Sequence, residues 1–185
     1  MSDPPVPIRR AAEVRAFENS FGTLYDDHVV GPTGARGRYL RWEWGGLGVV
    51  VIPVHADTVG LWHMYRYPVS SSSWEFPRGS IEDDETAGAA ALRELKQEAG
   101  VVGRDPETIG SLFAETGLIG TPVTVVAVVV DDRSVEAPEA EPMESVAGRG
   151  RWLAGPEFQA AVAGQEVHCA LTIAAWTMLI ARKHL

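Results

Sequence analysis

The chain has 185 residues, of which 45% are hydrophobic, and a formal net charge of −9. That length favours one domain with a core of its own, and the composition excludes a disordered chain. The acidic balance argues against nucleic acid or an anionic membrane as the main partner, because both reward clustered Lys and Arg. It leaves an anionic small molecule open, since a bound cation reverses the local field.

Residues 1–12 are Pro-rich and are expected to form a flexible N-terminus. They show no apolar core of signal-peptide type. Residues 13–46 read as an N-terminal strand region. In it "TLYDDHVV", the glycine-rich "GPTGARG" and "RYLRWEW" have the pattern of a hairpin. Trp42 and Trp44 flank one residue and so share a strand face, where they are placed to pack across a dimer.

Residues 47–185 read as the main domain. "LGVVVIPV" is a continuous apolar run with β-branched residues, the mark of a buried strand, and "TVGLWHMYRY" is a second strand. "PVSSSS" reads as a polar loop. Next, Ala87, Ala90, Ala91, Leu92, Leu95 and Ala99 recur at helical spacing. Asp83, Asp84 and Thr86 offer capping oxygens, and Gly100 supplies a stop. "TIGSLFAE" and "VTVVAVVV" are further strands; the second is far too short for a membrane helix, which needs ~20 apolar residues. "DDRSVEAPEAEPMES" is an acidic loop, "RWLA" a short strand, and residues 155–183 read as one helix with Leu171, Ala175, Met178 and Leu179 on a common face. The order of strands, helix, strands, helix predicts an α/β fold, a mixed sheet with a helix on each side.

The single cysteine, Cys169, excludes an internal disulfide and fits a reducing compartment, so a cytoplasmic location is expected. The histidines show no metal-ligand spacing. The carboxylates of the first helix do suggest a site. Glu94 and Glu98, four apart, point the same way and repel, and a divalent cation would relieve that. Oxygen ligands suit Mg²⁺ or Mn²⁺ over Zn²⁺. Arg93 projects about 100° from Glu94, away from the ligand face, where it can reach back to Glu85 and hold the preceding loop.

The segment Gly79–Val101 resembles the Nudix box. That pattern is Gly, five residues, Glu, seven residues, Arg-Glu, an aliphatic residue, any residue, Glu-Glu, any residue, Gly and an aliphatic residue. Gly79, Glu85, Arg93, Glu94, Leu95, Glu98, Gly100 and Val101 match; Gln97 stands where the first Glu of the pair is expected. The flanking "FENSFGTLYDDHVV", "LWHMYRYP", "WEFPRG" and "EAEPMESV" are similar to the layout of the ADP-ribose pyrophosphatase branch.

The resemblance implies a Nudix α/β/α sandwich with an N-terminal strand-rich dimerisation region, and hence a homodimer. It implies Mg²⁺-dependent hydrolysis of a nucleoside diphosphate linked to another group, ADP-ribose or a related nucleotide sugar first. Carried over by position, Glu94, Glu98, Gln97 and the backbone carbonyl of Arg78 are the implied metal ligands. Glu85 and Arg93 are the implied loop-to-helix pair. Glu139 or Glu141, with Glu144 as a further candidate, would join Glu98 in catalysis from the late loop. Arg66 would contact substrate, and Glu75 would hold a metal-bound water or pair with a neighbouring chain. Two departures matter. Gln97 brings no charge, which leaves open a nucleotide-binding or regulatory domain with weak catalysis. The proline that members of the branch usually carry beyond the box falls on Thr116.

Overall fold

The computed structural model describes residues 7–134 and 146–183. By internal packing the chain divides into two units, Met1–Leu47 with Phe113–Pro122, and Gly48–Leu112 with Val123–Leu185.

The first unit is a small antiparallel sheet of β1 (Arg9–Ala12), β2 (Arg15–Asn19), β3 (Gly22–Val30) and β4 (Arg36–Trp44). The hairpin expected of β3 and β4 is present, in register from Gly22 opposite Trp44 to Val30 opposite Arg36. β1 and β2 share the other edge of β3. Residues 9–12 are therefore not loose, as their composition suggested; Arg9 and Arg10 pair with Val30 and Val29. Asn19 makes the turn into β3, its side-chain oxygen accepting the N–H groups of Phe21 and Gly22. Only glycine fits at position 22, because a Cβ there would lie 2.3 Å from the Glu43 carbonyl oxygen. Inside the unit, buried Asp27 accepts a hydrogen bond from Arg41 Nε at 3.0 Å. Phe17, Phe21, Tyr39, Leu40 and Trp44 are exposed.

The second unit is built on a mixed sheet ordered β11–β6–β5–β10–β9: β11 (Val146–Ala154), β6 (Thr58–Arg66), β5 (Gly48–His55), β10 (Val123–Val129) and β9 (Arg104–Leu112). β7 (Ser71–Glu75) adds to β6, and β8 (Arg78–Ser80) adds to β5. β5 runs parallel to β10 and antiparallel to β6 and β8. Both faces of β5 are covered, which explains its unbroken apolar run. Val49 and Val51 pack with Leu95, Ala90 and Ala91 of α1 (Ala87–Ala99). Val50 and Ile52 pack with Phe158 of α2 (Gly155–Ala163) and Trp176 and Leu179 of α3 (Ala170–Lys183). Phe158 stacks on Trp176 with ring centroids 4.5 Å apart. The expected mixed α/β architecture, with helices on both faces of a mixed sheet, is the one found.

Two local expectations are corrected. The serine run is not a loop: a short 3-10 turn over Tyr67–Val69 leads into β7, and Ser73 is buried there. The C-terminal helix is two helices. Gly164 caps α2, and residues 164–169 separate it from α3. No helix among the described residues is long and apolar enough to cross a membrane.

Candidate active site

The carboxylate helix α1 starts where Thr86 Oγ1 accepts the Ala89 N–H at 3.1 Å and stops at Gly100, whose φ of 63° is left-handed. Ala90, Ala91, Leu95 and Ala99 face the sheet, and this fixes the direction of the polar residues between them. Glu94 and Glu98 are 8% and 4% exposed, on the same helix face. Two like charges buried side by side are costly unless something compensates them.

Part of that compensation is visible. Glu98 Oε2 accepts the backbone N–H of Arg78 at 2.9 Å. Glu94 Oε1 accepts Arg93 Nη1 at 2.7 Å. The helix is brought close to β8 by Gly79: a Cβ at that position would lie 2.0 Å from Glu94 Cδ and 2.1 Å from its Oε1. The glycine is thus required by the approach of the Glu94 carboxylate, and its φ is not in the left-handed region.

Arg93 ties loop to helix. Its Nε and Nη2 donate to the two carboxylate oxygens of Glu85 at 3.0 and 2.8 Å. Its Nη2 also donates to the Ser80 carbonyl at 2.8 Å. Hydrogen bonding from Arg93 outweighs burial and holds the Glu85 carboxyl below its usual range. Hydrogen bonding to Glu85, opposed by burial and reinforced by Glu94, raises the pKa of Arg93 in turn. Helical geometry alone pointed Arg93 away from Glu94. Its long stem brings Nη1 back, and the same nitrogen donates to Gln97 Oε1 at 3.0 Å. The amide oxygen of Gln97, read as a metal ligand, is therefore held by Arg93.

Glu75, at the end of β7, is 3% exposed. Its Oε2 accepts Nε and Nη2 of Arg66 at 3.0 and 2.9 Å and lies 3.3 Å from Arg78 Nη2. Arg78 Nη1 is 3.7 Å from Cys169 Sγ. Glu75 pairs within its own chain, through arginines on both sides of it. The role of the Arg78 side chain was missed by sequence reasoning, which used only its backbone. The signal available was the opposite charges either side of "FP" in "WEFPRG".

The donor set fits a hard divalent cation. Two buried carboxylates stand one helical turn apart, oxygen ligands of the kind Mg²⁺ or Mn²⁺ takes. Gly79 keeps side-chain bulk away from one of them. Among the described residues no group of three or more His, Cys, Asp or Glu gathers into a metal site. Glu139, Glu141 and Glu144 lie outside the described residues.

The family model for the NUDIX domain matches residues 46–167. A mouse (Mus musculus) ADP-sugar pyrophosphatase is 39% identical over 101 residues, 51% of this chain and 46% of that protein. An ADP-ribose pyrophosphatase of Saccharomyces cerevisiae is 33% identical over 90 residues, 46% of this chain and 39% of that one. An RNA pyrophosphohydrolase of Histophilus somni (strain 2336) is 41% identical over 63 residues, 34% of this chain and 30% of that one. The chain spans less than half the length of these curated relatives. A solved crystal structure of an ADP compounds hydrolase superposes with a TM-score of 0.80 over 97% of this chain and 96% of that one, at 18% identity, which speaks for the fold.

Proposed function

The chain belongs to the NUDIX domain family, and from that premise we propose that it hydrolyses the pyrophosphate bond of a nucleoside diphosphate linked to another group, with ADP-ribose or a related nucleotide sugar as substrate. The observation that carries this reading is the buried Glu94–Glu98 pair, with Glu94 set against Gly79 and held by Arg93, and Glu98 accepting the Arg78 N–H. Matches to proteins named for ADP-sugars extend over more of the chain than the match to the RNA pyrophosphohydrolase. Together with the net charge of −9 this favours a small nucleotide over RNA.

In this reading Glu94 and Glu98 hold Mg²⁺, with the Arg78 carbonyl as a further ligand. When bound, the ion offsets charge on the phosphate oxygens and lowers the pKa of the attacking water. Arg93 and Glu85 keep Glu94 in place. Arg66 grips a phosphate of the substrate. Glu139 or Glu141 takes the proton of the water as its oxygen bonds to phosphorus, and the bridging phosphorus–oxygen bond breaks. The products from ADP-ribose are AMP and ribose 5-phosphate. The exposed aromatic and aliphatic side chains of the first unit support a homodimer.

A second reading rests on Gln97. Its neutral amide leaves one carboxylate fewer on α1, which suits a domain that binds nucleotide with little turnover. A panel of ADP-ribose, GDP-mannose, UDP-glucose and a 5′-triphosphorylated RNA, assayed for product with Mg²⁺ or Mn²⁺ and with a chelator, separates the readings. Metal-dependent AMP from ADP-ribose supports the hydrolase. Nucleotide binding without product from any member supports the second reading.

A further inference from the structure

The cluster around Glu75 has more positive than negative charge. One carboxylate oxygen, Glu75 Oε2, is shared by two guanidinium groups, Arg66 and Arg78. The carboxylate is 3% exposed, whereas the two arginine side chains are 29% and 28% exposed. Glu75 thus anchors both from the buried side and leaves each partly open to solvent. A guanidinium has five N–H donors in a fixed fork. Arg66 directs Nε and Nη2 at Glu75, and this contact does not use Nη1. Arg78 directs Nη2 at Glu75 and Nη1 at the weak acceptor Cys169 Sγ. Among the described residues, two cations held on one anion leave a surplus positive charge and donors not directed at a strong acceptor.

The place of this surplus in the chain matters. The backbone N–H of Arg78 is already bonded to Glu98. The same residue therefore touches the carboxylate helix with its main chain and the Glu75 cluster with its side chain. We propose that Arg66 and the Arg78 side chain form a two-armed clamp for a phosphate or pyrophosphate group, with Glu75 as the positioning residue that holds both arms. This rests on the hydrolase reading for its substrate and adds a second arm and its support to it. Arginine suits the task because its planar fork matches two phosphate oxygens at once, a geometry that a lysine ammonium does not supply.

The test is binding of inorganic pyrophosphate by isothermal titration calorimetry with EDTA present, so that no metal links the anion to Glu94 and Glu98. The parent protein binds. Arg78→Ala raises the dissociation constant about 10- to 100-fold, the range expected for charge-assisted hydrogen bonds. Arg78→Lys falls between, because the charge stays and the fork is lost. Glu75→Gln also weakens binding, although it removes a negative charge, because the arms lose their common anchor. In turnover, Arg78→Ala raises KM more than it lowers kcat.

Thermal melts of each variant establish that it is folded. Parent-like binding by folded Arg78→Ala and Arg78→Lys, or no binding by the parent, overturns the clamp. Tighter binding by Glu75→Gln overturns the positioning role of Glu75. The hydrolase reading fails separately: a protein that binds pyrophosphate through Arg78 but releases no product has the clamp without the activity.

Discussion

Arg93 joins two carboxylates that lie nine residues apart in the chain: its Nη2 is 2.8 Å from Glu85 Oε2 and its Nη1 is 2.7 Å from Glu94 Oε1. One side chain thereby fixes the loop ahead of α1 and one of the two acidic groups on it. The buried side chain of Glu94 cannot change rotamer without breaking this contact, so Arg93 holds its carboxylate in place.

The acid sensitivity of that lock follows from the depressed pKa of Glu85. A carboxyl whose folded pKa lies below its unfolded value adds stability above the unfolded pKa, and that stability is lost as pH falls through the folded value. The ordinary value is 4.5 and the folded one lies below it. Denaturant melts of the parent should therefore lose stability as pH drops below about 4.5. Glu85→Gln should show a smaller loss over the same interval. Identical pH profiles for the two proteins would mean that the Arg93 pair contributes nothing to the fold.

Gly79→Ala tests the close approach of Glu94. The new Cβ would meet Glu94 Cδ, Oε1 and Oε2 at 2.0, 2.1 and 2.3 Å. Those atoms end a flexible side chain, so the carboxylate moves before the backbone does. Folding should survive, with a cost on the order of 1–3 kcal/mol from overpacking. Turnover should fall by about 100-fold or more, since small misplacements at a catalytic centre have effects of that size. Retained activity would show that Glu94 need not sit where it does.

Gln97→Glu should raise turnover a few-fold and lower the metal concentration needed, because a carboxylate replaces a neutral amide. Glu98→Gln should nearly abolish turnover while leaving the fold, since an amide oxygen can still accept the Arg78 N–H that Glu98 accepts at 2.9 Å. Metal titrations of both variants against the parent check this. Parent-like behaviour in both would place the site elsewhere.

Phe158 anchors the other face of the sheet, fully buried and stacked on Trp176. Phe158→Ala should destabilise the protein by about 3–5 kcal/mol through lost burial and the cavity left behind. Denaturant unfolding measures it. A loss under about 1 kcal/mol would mean that neighbouring side chains refill the space.

Much of this structure was legible in the sequence, for physical reasons that differ by element. α1 announces itself because period, cap and stop coincide at Leu95, Thr86 and Gly100. β5 is legible because a strand covered on both faces is apolar throughout. β7 was hidden because "SSSWE" has no apolar alternation; it is a strand because it pairs with β6 and its backbone meets the connection between α2 and α3, as Trp74 N–H does on the Glu166 carbonyl at 3.0 Å. The break between α2 and α3 carried a signal in Gly164 that the apolar spacing on either side outweighed. The ion cluster at Glu75 depends on how β6 and β7 align, with Trp62 opposite Glu75 and Arg66 opposite Ser71. No local pattern encodes that register.

The most direct test of the central claim is chromatographic detection of AMP and ribose 5-phosphate from ADP-ribose, with Mg²⁺ and with excess EDTA, for the parent and for Glu98→Gln. The account predicts product from the parent with Mg²⁺, none with EDTA, and nearly none from the variant. Product that forms equally in EDTA, or equally from Glu98→Gln, would contradict it.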